Sequence, residues 1–235
     1  MRSGSHRTER GGGSGVSPAG AYCVDRFLVT ALTVPACVID AGGVLVEVNE
    51  AMLQWEGCSP GEMIGRHVGE FAPPARAREL GQISDATIGD GEPRATAGMY
   101  RGHWVRMRYY RGEAPGDGTQ VCIVALDPWR SDALEDGTGE AVVESRHHDL
   151  ADLAALSTRE GEVLWHLGRG KSLPRIASEL FRSVKTMEAH VRSIGVKLGL
   201  RGRVAMISLV QDRGLSHMTL EQVKRVFGSG DRSAT

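Results

Sequence analysis

Apolar and polar positions follow different patterns in two parts of the chain, and the difference predicts two kinds of structure. From residue 22 to residue 127, short apolar runs lie between Gly-rich turns, which is typical of strands around a helical middle. From residue 156 to residue 207, apolar residues recur every three or four positions, which indicates helices. The clearest helical stripe consists of Met187, Val191, Ile194 and Leu198. The chain is therefore predicted to place an α+β region before an all-helical region.

The first region is predicted to contain a hairpin, three helical segments and three further strands. In chain order, its elements are strands at 35–40 and 44–48, helical segments at 49–55, 60–65 and 75–88, and strands at 95–100, 103–110 and 120–127. The hairpin turns at residues 41–43, which contain two glycines. Asn49 is a residue type that begins helices, because its side chain accepts a backbone hydrogen bond.

This order of elements resembles the PAS sensor fold, as do two short motifs within it. The motifs are Val38-Ile39-Asp40-x-x-Gly43 with Val48-Asn49-Glu50-Ala51, and Ser59-Pro60-Gly61-Glu62-Met63-Ile64-Gly65-Arg66. The resemblance covers about residues 25–127 and implies an antiparallel five-stranded sheet with helices. Such a domain either holds a ligand between its sheet and its helices or serves as a dimer contact. The residues expected to line a pocket there, or else to form plain core, are Met52, Trp55, Met63, Phe71, Met99 and Trp104.

The helical region carries its own start signals. Ser157-x-x-Glu160 is a capping box directly before an apolar run, so a helix is predicted to begin there. A short helix near 174–180 follows, with Ser172 as its expected cap. The last helix of the region, at about 204–210, is more apolar than one small core requires.

These helices resemble the LuxR-type, or GerE-type, helix-turn-helix family. The resemblance covers about a quarter of the chain without gaps. It rests on Leu156, Arg159, Glu160, Val163, Leu164, Gly170, Ile176, Ala177, Leu180, Ser183, Thr186, Glu188, His190, Ile194, Lys197, Leu198, Gly199 and Arg203. It implies an all-α domain of four helices, of which the second and third form the helix-turn-helix. The fourth helix often forms the dimer contact in this family; the alternative is that it only closes the core.

The resemblance also implies that the third helix enters the major groove of double-stranded DNA. Its outward positions, which reach base edges in the family, hold Glu188, Ala189 and Arg192. Arginine suits the two acceptors of guanine, glutamate the cytosine amine and alanine the thymine methyl. Alternatively, Glu188 pairs with Arg192 along the helix. The residues expected to contact phosphates are Lys185, Thr186, His190, Lys197 and Arg203. For His190, Lys197 and Arg203, the alternative is a packing or surface role.

Charge separates the two regions in the same way. Among the 235 residues, the formal net charge is −1. Residues 150–215 hold 11 Lys and Arg against 6 Asp and Glu, a net charge of +5, whereas residues 1–149 hold 14 against 21, a net charge of −7. Because phosphate binding requires positive charge, the helical region is the one expected to bind DNA.

Other function classes lack their sequence signals. The chain has no Gly-rich phosphate loop, metal cluster or nucleophile motif, so we expect no enzyme, no catalytic residue and no metal. The helix at 75–88 has no histidine for haem, and no Asn-Cys-Arg-like flavin motif is present, which leaves any cofactor unknown. Cys37 and Cys122 fall on strands that are neighbours in a PAS sheet, so they are either two buried thiols or a redox pair. With no apolar run of membrane-spanning length and no signal pattern, a cytoplasmic location is expected.

The chain is therefore predicted to have five segments. They are a disordered segment at 1–21, a PAS domain at 22–127, a linker at 128–153, a helix-turn-helix domain at 154–215 and a tail at 216–235. The linker is expected to be partly helical, because Val143, Leu150 and Leu153 are compatible with one amphipathic helix. A short helix is expected in the tail from Thr219, where Thr219-x-x-Gln222 forms a capping box.

Together these features predict a bacterial transcription regulator that binds double-stranded DNA as a homodimer. Its PAS domain is expected to control it, with a small-molecule effector as the signal. The alternatives are a PAS domain that only binds another protein, or one that binds an autoinducer-like molecule. Two rivals lack their patterns: a receiver domain would alternate strands and helices, and an acyl-homoserine-lactone receptor would show a Trp-Tyr-Asp-Trp pocket pattern. Activation of a secondary-metabolite gene cluster is an expectation from architecture alone.

Overall fold

The computed structural model describes residues 22–23, 29, 31–114, 118–128 and 142–229. The predicted disordered segment at 1–21, and the linker between 129 and 141, lie outside these residues. The described strands are β1 (Tyr22–Cys23), β2 (Ala36–Asp40), β3 (Leu45–Val48), β4 (Arg94–Tyr100), β5 (His103–Glu113), β6 (Gln120–Pro128) and β7 (Val142–Glu144). The described α-helices are α1 (Glu50–Glu56), α2 (Pro60–Met63), α3 (Pro74–Asp90), α4 (Thr158–Gly168), α5 (Leu173–Glu179), α6 (Val184–Leu198), α7 (Gly202–Asp212) and α8 (Leu220–Ser229).

The strands form one sheet in the order β3-β2-β6-β5-β4-β7, with β1 beside β5. Neighbours among the central five strands run antiparallel, which confirms the predicted sheet. The short strands β1 and β7 are additions, and both pair in parallel, with β5 and β4 respectively. Helices α1 to α3 lie between β3 and β4 in the chain and cover one face of the sheet.

Asn49 shows how one residue joins the hairpin to the helices. Its side chain accepts a hydrogen bond from the Met52 amide at 2.8 Å, so it begins α1 as predicted. The same oxygen accepts from the Ala36 amide at 3.0 Å, and the amide nitrogen donates to the Val34 carbonyl at 2.8 Å. Asn49 is fully buried, and a buried amide with these partners fixes the chain entering β2 against the start of α1.

The two faces of the sheet serve different cores. Because side chains alternate along a strand, Val105, Met107 and Tyr109 of β5 face α1 to α3. Trp104 of β5 and its cross-strand partner Met99 of β4 point to the opposite face. There they pack in one cluster with the helices of the second domain. The sheet is thus buried on both sides near its β4 edge.

The second domain contains the four predicted helices, α4 to α7, and α8 as a fifth. The capping box at Ser157 is formed: its side chain accepts from the Glu160 amide, and the Glu160 carboxylate accepts from the Ser157 amide at 2.8 Å. Ser172 occupies the cap position of α5, but its side chain makes no cap hydrogen bond. Helix α8 confirms the helix predicted after Thr219, and its buried Phe227 packs on α4.

The segment before the second domain differs from the predicted amphipathic helix. Val142–Glu144 forms β7, and beyond it the Ser145 amide donates to the Ala97 carbonyl at 2.8 Å. The Asp149 amide donates to the Met99 carbonyl at 3.0 Å. Residues 142–149 therefore follow the edge of β4, where backbone groups need partners, instead of forming a helix. Only a short 3₁₀ turn, Ala151–Ala155, precedes α4.

Candidate DNA-binding surface and sensor-domain cavity

Helix α6 is fixed in orientation by its two ends and by its buried face. Ser183 begins the helix, and its side chain accepts a hydrogen bond from the Thr186 amide at 3.1 Å. Gly199 ends it in the left-handed conformation. Met187 and Ile194 have no exposed surface and pack into the core of the domain. These constraints decide which side chains of α6 point outward.

The outward face of α6 presents four of the predicted contact residues. Lys185, Glu188, Ala189 and Arg192 are all exposed. Both Glu188 and Arg192 are among the described residues, and their side chains form no ion pair with each other. The geometry therefore does not support the alternative, an ion pair between these two residues along α6. The exposed groups are one carboxylate, one guanidinium, one ammonium and one methyl, and each is free to meet a ligand. Together they form a surface that we call the α6 face: Lys185, Glu188, Ala189 and Arg192.

The other predicted phosphate contacts lie around this face in more constrained positions. Thr186 and His190 are half-buried. Lys197 is bound to Glu160, with 2.6 Å between its ammonium and the carboxylate. Arg203 donates to the Lys171 carbonyl at 2.5 Å. Lys197 and Arg203 therefore already have protein partners, whereas the Lys185 ammonium makes no hydrogen bond or ion pair with the described residues.

The buried carboxylate of Glu160 binds side chains at the start of α4 and in α6. Its carboxylate accepts hydrogen bonds from the Ser193 hydroxyl and the Lys197 ammonium, both at 2.6 Å, and from Ser157. Burial raises the pKa of this carboxyl, but the hydrogen bonds from Lys197, Ser193 and Ser157 outweigh burial and lower the pKa to about 2. The charged group ties the start of α4 to the last turns of α6, and so it positions the α6 face.

Helices α1 to α3 and the sheet enclose a cavity of about 40 Å³ in the first domain. Three of the six predicted pocket residues, Met52, Met63 and Phe71, line it. Met99 and Trp104 do not, because strand alternation turns them to the opposite face, against the second domain. The remaining residue, Trp55, does not line it either. It lies at the end of α1 and packs with its ring centroid 4.8 Å from that of His103.

The volume of the cavity limits what it holds in this conformation. An apolar cavity of about 150 Å³ accommodates benzene, whereas a single water needs about 10–15 Å³ of comparable space. At about 40 Å³, the cavity is large enough for a few waters. Binding of any larger molecule therefore requires α1 to α3 to move away from the sheet.

The wall of the cavity contains a buried acidic group that the sequence reasoning missed. The side chain of Glu56 has no exposed surface, and it accepts a hydrogen bond from the Tyr100 hydroxyl at 2.5 Å. It also forms an ion pair with Arg101. Burial and the neighbouring Glu56 carboxylate raise the pKa of Tyr100 well above its ordinary value. The available signal was spacing, because Glu56 lies four residues after Met52 and so occupies the apolar face of α1.

Cys37 and Cys122 lie on the neighbouring strands β2 and β6, as predicted. Cys37 pairs with Val124 and Cys122 pairs with Ile39. Both thiols therefore point to the same face of the sheet, offset by two residues along the strands. Both thiols are free and buried. Burial raises the pKa of Cys122 to about 11 and that of Cys37 further. A protonated thiol is a poor nucleophile, so the geometry favours two buried thiols over a redox pair.

Two further properties concern the described residues only. No three side chains of His, Cys, Asp or Glu come together there in a way that suits a metal ion. None of the helices described is both long enough and apolar enough to span a membrane.

Comparison with family models assigns both domains. Residues 154–210 match the family described as bacterial regulatory proteins, luxR family, and residues 29–128 match the PAS fold. The chain therefore joins a PAS-fold domain to a LuxR-type helix-turn-helix domain, and the predicted architecture is confirmed.

Curated relatives match part of this chain. The probable transcriptional regulatory protein NarL of Mycobacterium tuberculosis is 42% identical over 53 residues, which is 23% of this chain and 24% of NarL. The Fimbriae Z protein of Salmonella typhimurium is 41% identical over 69 residues, which is 29% of this chain and 31% of that protein. The chain spans about a quarter to a third of the length of these curated relatives.

Matches among solved structures include VqmA of Vibrio cholerae, which is described as a dimer and a LuxR-type receptor. VqmA solved without its target DNA is 24% identical, with 85% of this chain and 91% of that chain covered and a TM-score of 0.42. The VqmA–ligand–DNA complex is 23% identical with the same coverage and a TM-score of 0.43. The PAS domain of Bordetella pertussis BvgS is 20% identical over 45% of this chain and 83% of that chain, with a TM-score of 0.39.

Proposed function

We propose that this protein is a sequence-specific transcription regulator that binds double-stranded DNA through α6. The observation that carries the proposal is the α6 face, where four predicted contact residues are exposed side by side on one rigidly held helix. The net charge of +5 over residues 150–215 favours a polyanion as the partner of this domain. A bacterial regulator of this kind acts in the cytoplasm, where its DNA is.

The roles of the individual residues follow from their chemistry. Arg192 has a guanidinium that can donate to both acceptors of guanine, and Glu188 has a carboxylate that can accept from the cytosine amine. Ala189 offers a methyl group for a thymine methyl. Lys185, in the first turn of α6, supplies a positive charge for a phosphate, with Thr186 and His190 beside it. Lys197 and Arg203 reach phosphates only if they exchange their present partners, Glu160 and the Lys171 carbonyl.

The protein is proposed to act as a homodimer through α7. Val204 is 77% exposed on this helix, and Ile207, three residues further on and so on the same side of the helix, is half-buried. Exposed apolar residues that lie together mark association surfaces more often than isolated ones do. A two-fold dimer through α7 would present two copies of the α6 face to a two-fold symmetric operator.

The PAS domain is proposed to act as the sensor, with the cavity lined by Met52, Met63, Phe71 and Glu56 as the effector site. The small volume of the cavity implies that the effector is small or that binding opens the domain. The alternative is a PAS domain that only binds a protein partner. Control of a secondary-metabolite gene cluster is the finer role that this architecture favours.

DNA binding is tested by selecting bound sequences from random duplex DNA with the full-length protein. Arg192→Ala should lower affinity for the selected site by about 1–3 kcal/mol and relax the preference at one base pair. Lys185→Ala should weaken all sequences alike and reduce the salt slope by about 1. The charge-matched control is Arg66→Ala, since Arg66 lies exposed in the first domain. Failure to select any sequence, or an unchanged preference in Arg192→Ala, would overturn the proposal.

The sensor role is tested by mass spectrometry of small molecules released from the purified protein after denaturation, with an absorption spectrum taken beforehand. A stoichiometric compound would support an effector site. A colourless protein that releases nothing would favour the protein-binding alternative.

A further inference from the structure

The cavity and the second domain share a short structural connection that begins at Glu56. This residue, in the last turn of α1, lines the cavity and is fully buried. Its two carboxylate oxygens bind neighbouring residues of one turn: Tyr100 Oη donates to Oε1 at 2.5 Å, and the Arg101 guanidinium pairs with Oε2. The guanidinium also donates to the Glu56 carbonyl at 3.3 Å. A single buried carboxylate therefore binds two successive residues at the turn between β4 and β5.

This turn, residues 100–103, is a two-residue hairpin turn between the paired residues Tyr100 and His103. Arg101 has a φ of 48°, the left-handed conformation that the first central residue of such a turn adopts. Gly102 follows with a φ of 74°, and a Cβ at this position would lie 2.3 Å from Arg213 Nη1. The Arg101 side chain is held by its ion pair with Glu56, and Gly102 allows the second domain to approach.

The other side of the same turn binds the second domain. Arg213, directly after α7, donates from Nη1 to the Arg101 carbonyl at 3.1 Å. The Arg213 carbonyl accepts from the Trp104 amide at 2.8 Å. Asp152 completes this contact with an ion pair to Arg213 at 3.3 Å. The turn is thus held from the cavity side by Glu56 and from the DNA-binding side by Arg213.

We propose that Glu56 is a positioning residue that couples the cavity to the DNA-binding domain through the 100–103 turn and Arg213. The inference rests on the sensor role proposed above for this cavity. An effector with a hydrogen-bond donor competes with Tyr100 and Arg101 for the Glu56 carboxylate. When Arg101 loses that partner, the turn loses its contact with α1, and the carbonyl that Arg213 binds shifts. Because Arg213 directly follows α7, this change reaches the helix proposed to form the dimer.

The coupling is tested without an effector by replacing Glu56 in the full-length protein. Glu56→Gln keeps the shape and the acceptor of the side chain but removes the charge that binds Arg101. The readout is hydrogen exchange of the Trp104 amide, which is bonded across the two domains. Losing a charge-assisted bond should speed its exchange by about tenfold. Glu50→Gln is the matched control, since Glu50 lies exposed on the same helix, and it should leave the rate unchanged.

A second comparison separates coupling from general loosening. Arg213→Gln should speed exchange at Trp104 by a similar factor, and the double variant with Glu56→Gln should add little, because both changes break one chain of contacts. If Glu56→Gln does not fold, Tyr100→Phe removes only the hydroxyl that binds Glu56 and should give a smaller change in the same direction. Unchanged exchange in the folded variants, or fully additive effects, would overturn the coupling. DNA affinity measured on the same proteins tests the proposed function separately, since wild-type protein that binds no DNA would refute that function and leave the exchange result standing.

Discussion

Replacement of Glu160 by glutamine offers a direct test of how the DNA-binding domain is held together. Glu160 is 4% exposed, and its carboxylate joins α4 to α6 through Ser193 and Lys197 and also caps α4 at Ser157. Glutamine keeps the size and one acceptor oxygen, but it has no charge to bind the Lys197 ammonium. The Lys197 side chain, which is 36% exposed, would lose its charged partner, and the Ser193 and Ser157 hydroxyls would lose a charged acceptor. Glu160→Gln should therefore destabilise the second domain specifically.

The magnitude follows from the protonation equilibrium of the carboxyl. The pKa of Glu160 is about 2 in the folded protein against 4.5 in the unfolded chain. In the folded protein, burial raises this pKa, but the hydrogen bonds from Lys197 and Ser193 lower it by more. This difference corresponds to about 3 kcal/mol of stabilisation by the charged form. Because the folded pKa is the lower one, the full stabilisation is present above pH 4.5 and is lost as pH falls to about 2.

The assay is urea unfolding of the full-length protein, followed through the indole N–H signal of Trp165. That group is buried and donates to the Met218 carbonyl at 3.0 Å, so it reports on the second domain alone. At neutral pH, Glu160→Gln should lower the free energy of unfolding by about 2–3 kcal/mol. The difference from wild type should shrink as pH falls from 4.5 to about 2. The control is Glu221→Gln on the exposed side of α8. An equal loss in the control, or a difference independent of pH, would refute the reasoning.

Four further substitutions test other parts of the fold by urea unfolding. Gly161→Ala should destabilise the protein by about 1–3 kcal/mol, because a Cβ would lie 2.6 Å from the Phe227 ring of α8. A Cβ at Gly81 on α3 would meet nothing within 4 Å, so Gly81→Ala should stabilise the protein by about 0.5–1 kcal/mol. Changes of the same sign in both variants would contradict the packing of α8. Phe181→Gly should stabilise by about 1 kcal/mol, since Phe181 is 87% exposed at a φ of 52°; a loss of stability would mean that the ring has an unrecognised contact. Burial lowers the pKa of His148 to about 4, below its unfolded value of 6.5, so the protein loses stability as His148 is protonated between pH 6.5 and about 4. His148→Asn should remove this part of the pH dependence of stability. An unaltered pH profile would show that His148 does not cause it.

Local chemistry explains why so many elements could be predicted from the sequence. Asn49, Ser157 and Ser183 each begin a helix by accepting a backbone hydrogen bond within three residues, as their residue types indicate. The outward face of α6 was predictable for a similar reason, since helical periodicity alone separates buried Met187 from exposed Arg192. Such signals depend only on neighbours in the chain.

Features that depend on distant partners were not predictable in this way. The residues at 142–149 have apolar spacing compatible with a helix, yet they pair along β4, because the open edge of the sheet offers hydrogen-bond partners that no local pattern records. Lys197 has the exposed, charged character expected of a phosphate contact, but Glu160, far away in the chain, already binds it. Composition and periodicity indicate the residue type at each position, not the group that will lie opposite.

The misplacement of Met99 and Trp104 explains why the two domains have to be considered together. Alternation in β4 and β5 correctly implies that these apolar residues share one face, but it does not say whether that face covers a cavity or another domain. The structure uses the face opposite the cavity to dock the second domain, so the sheet is the common wall of both. Glu56 binds the turn at residues 100–103, and Trp104 directly follows this turn. The Trp104 amide donates to the Arg213 carbonyl, so the cavity and the second domain are connected through one end of β5. Met99 and Trp104, predicted to line an effector pocket, instead form the contact between the sheet and the DNA-binding domain.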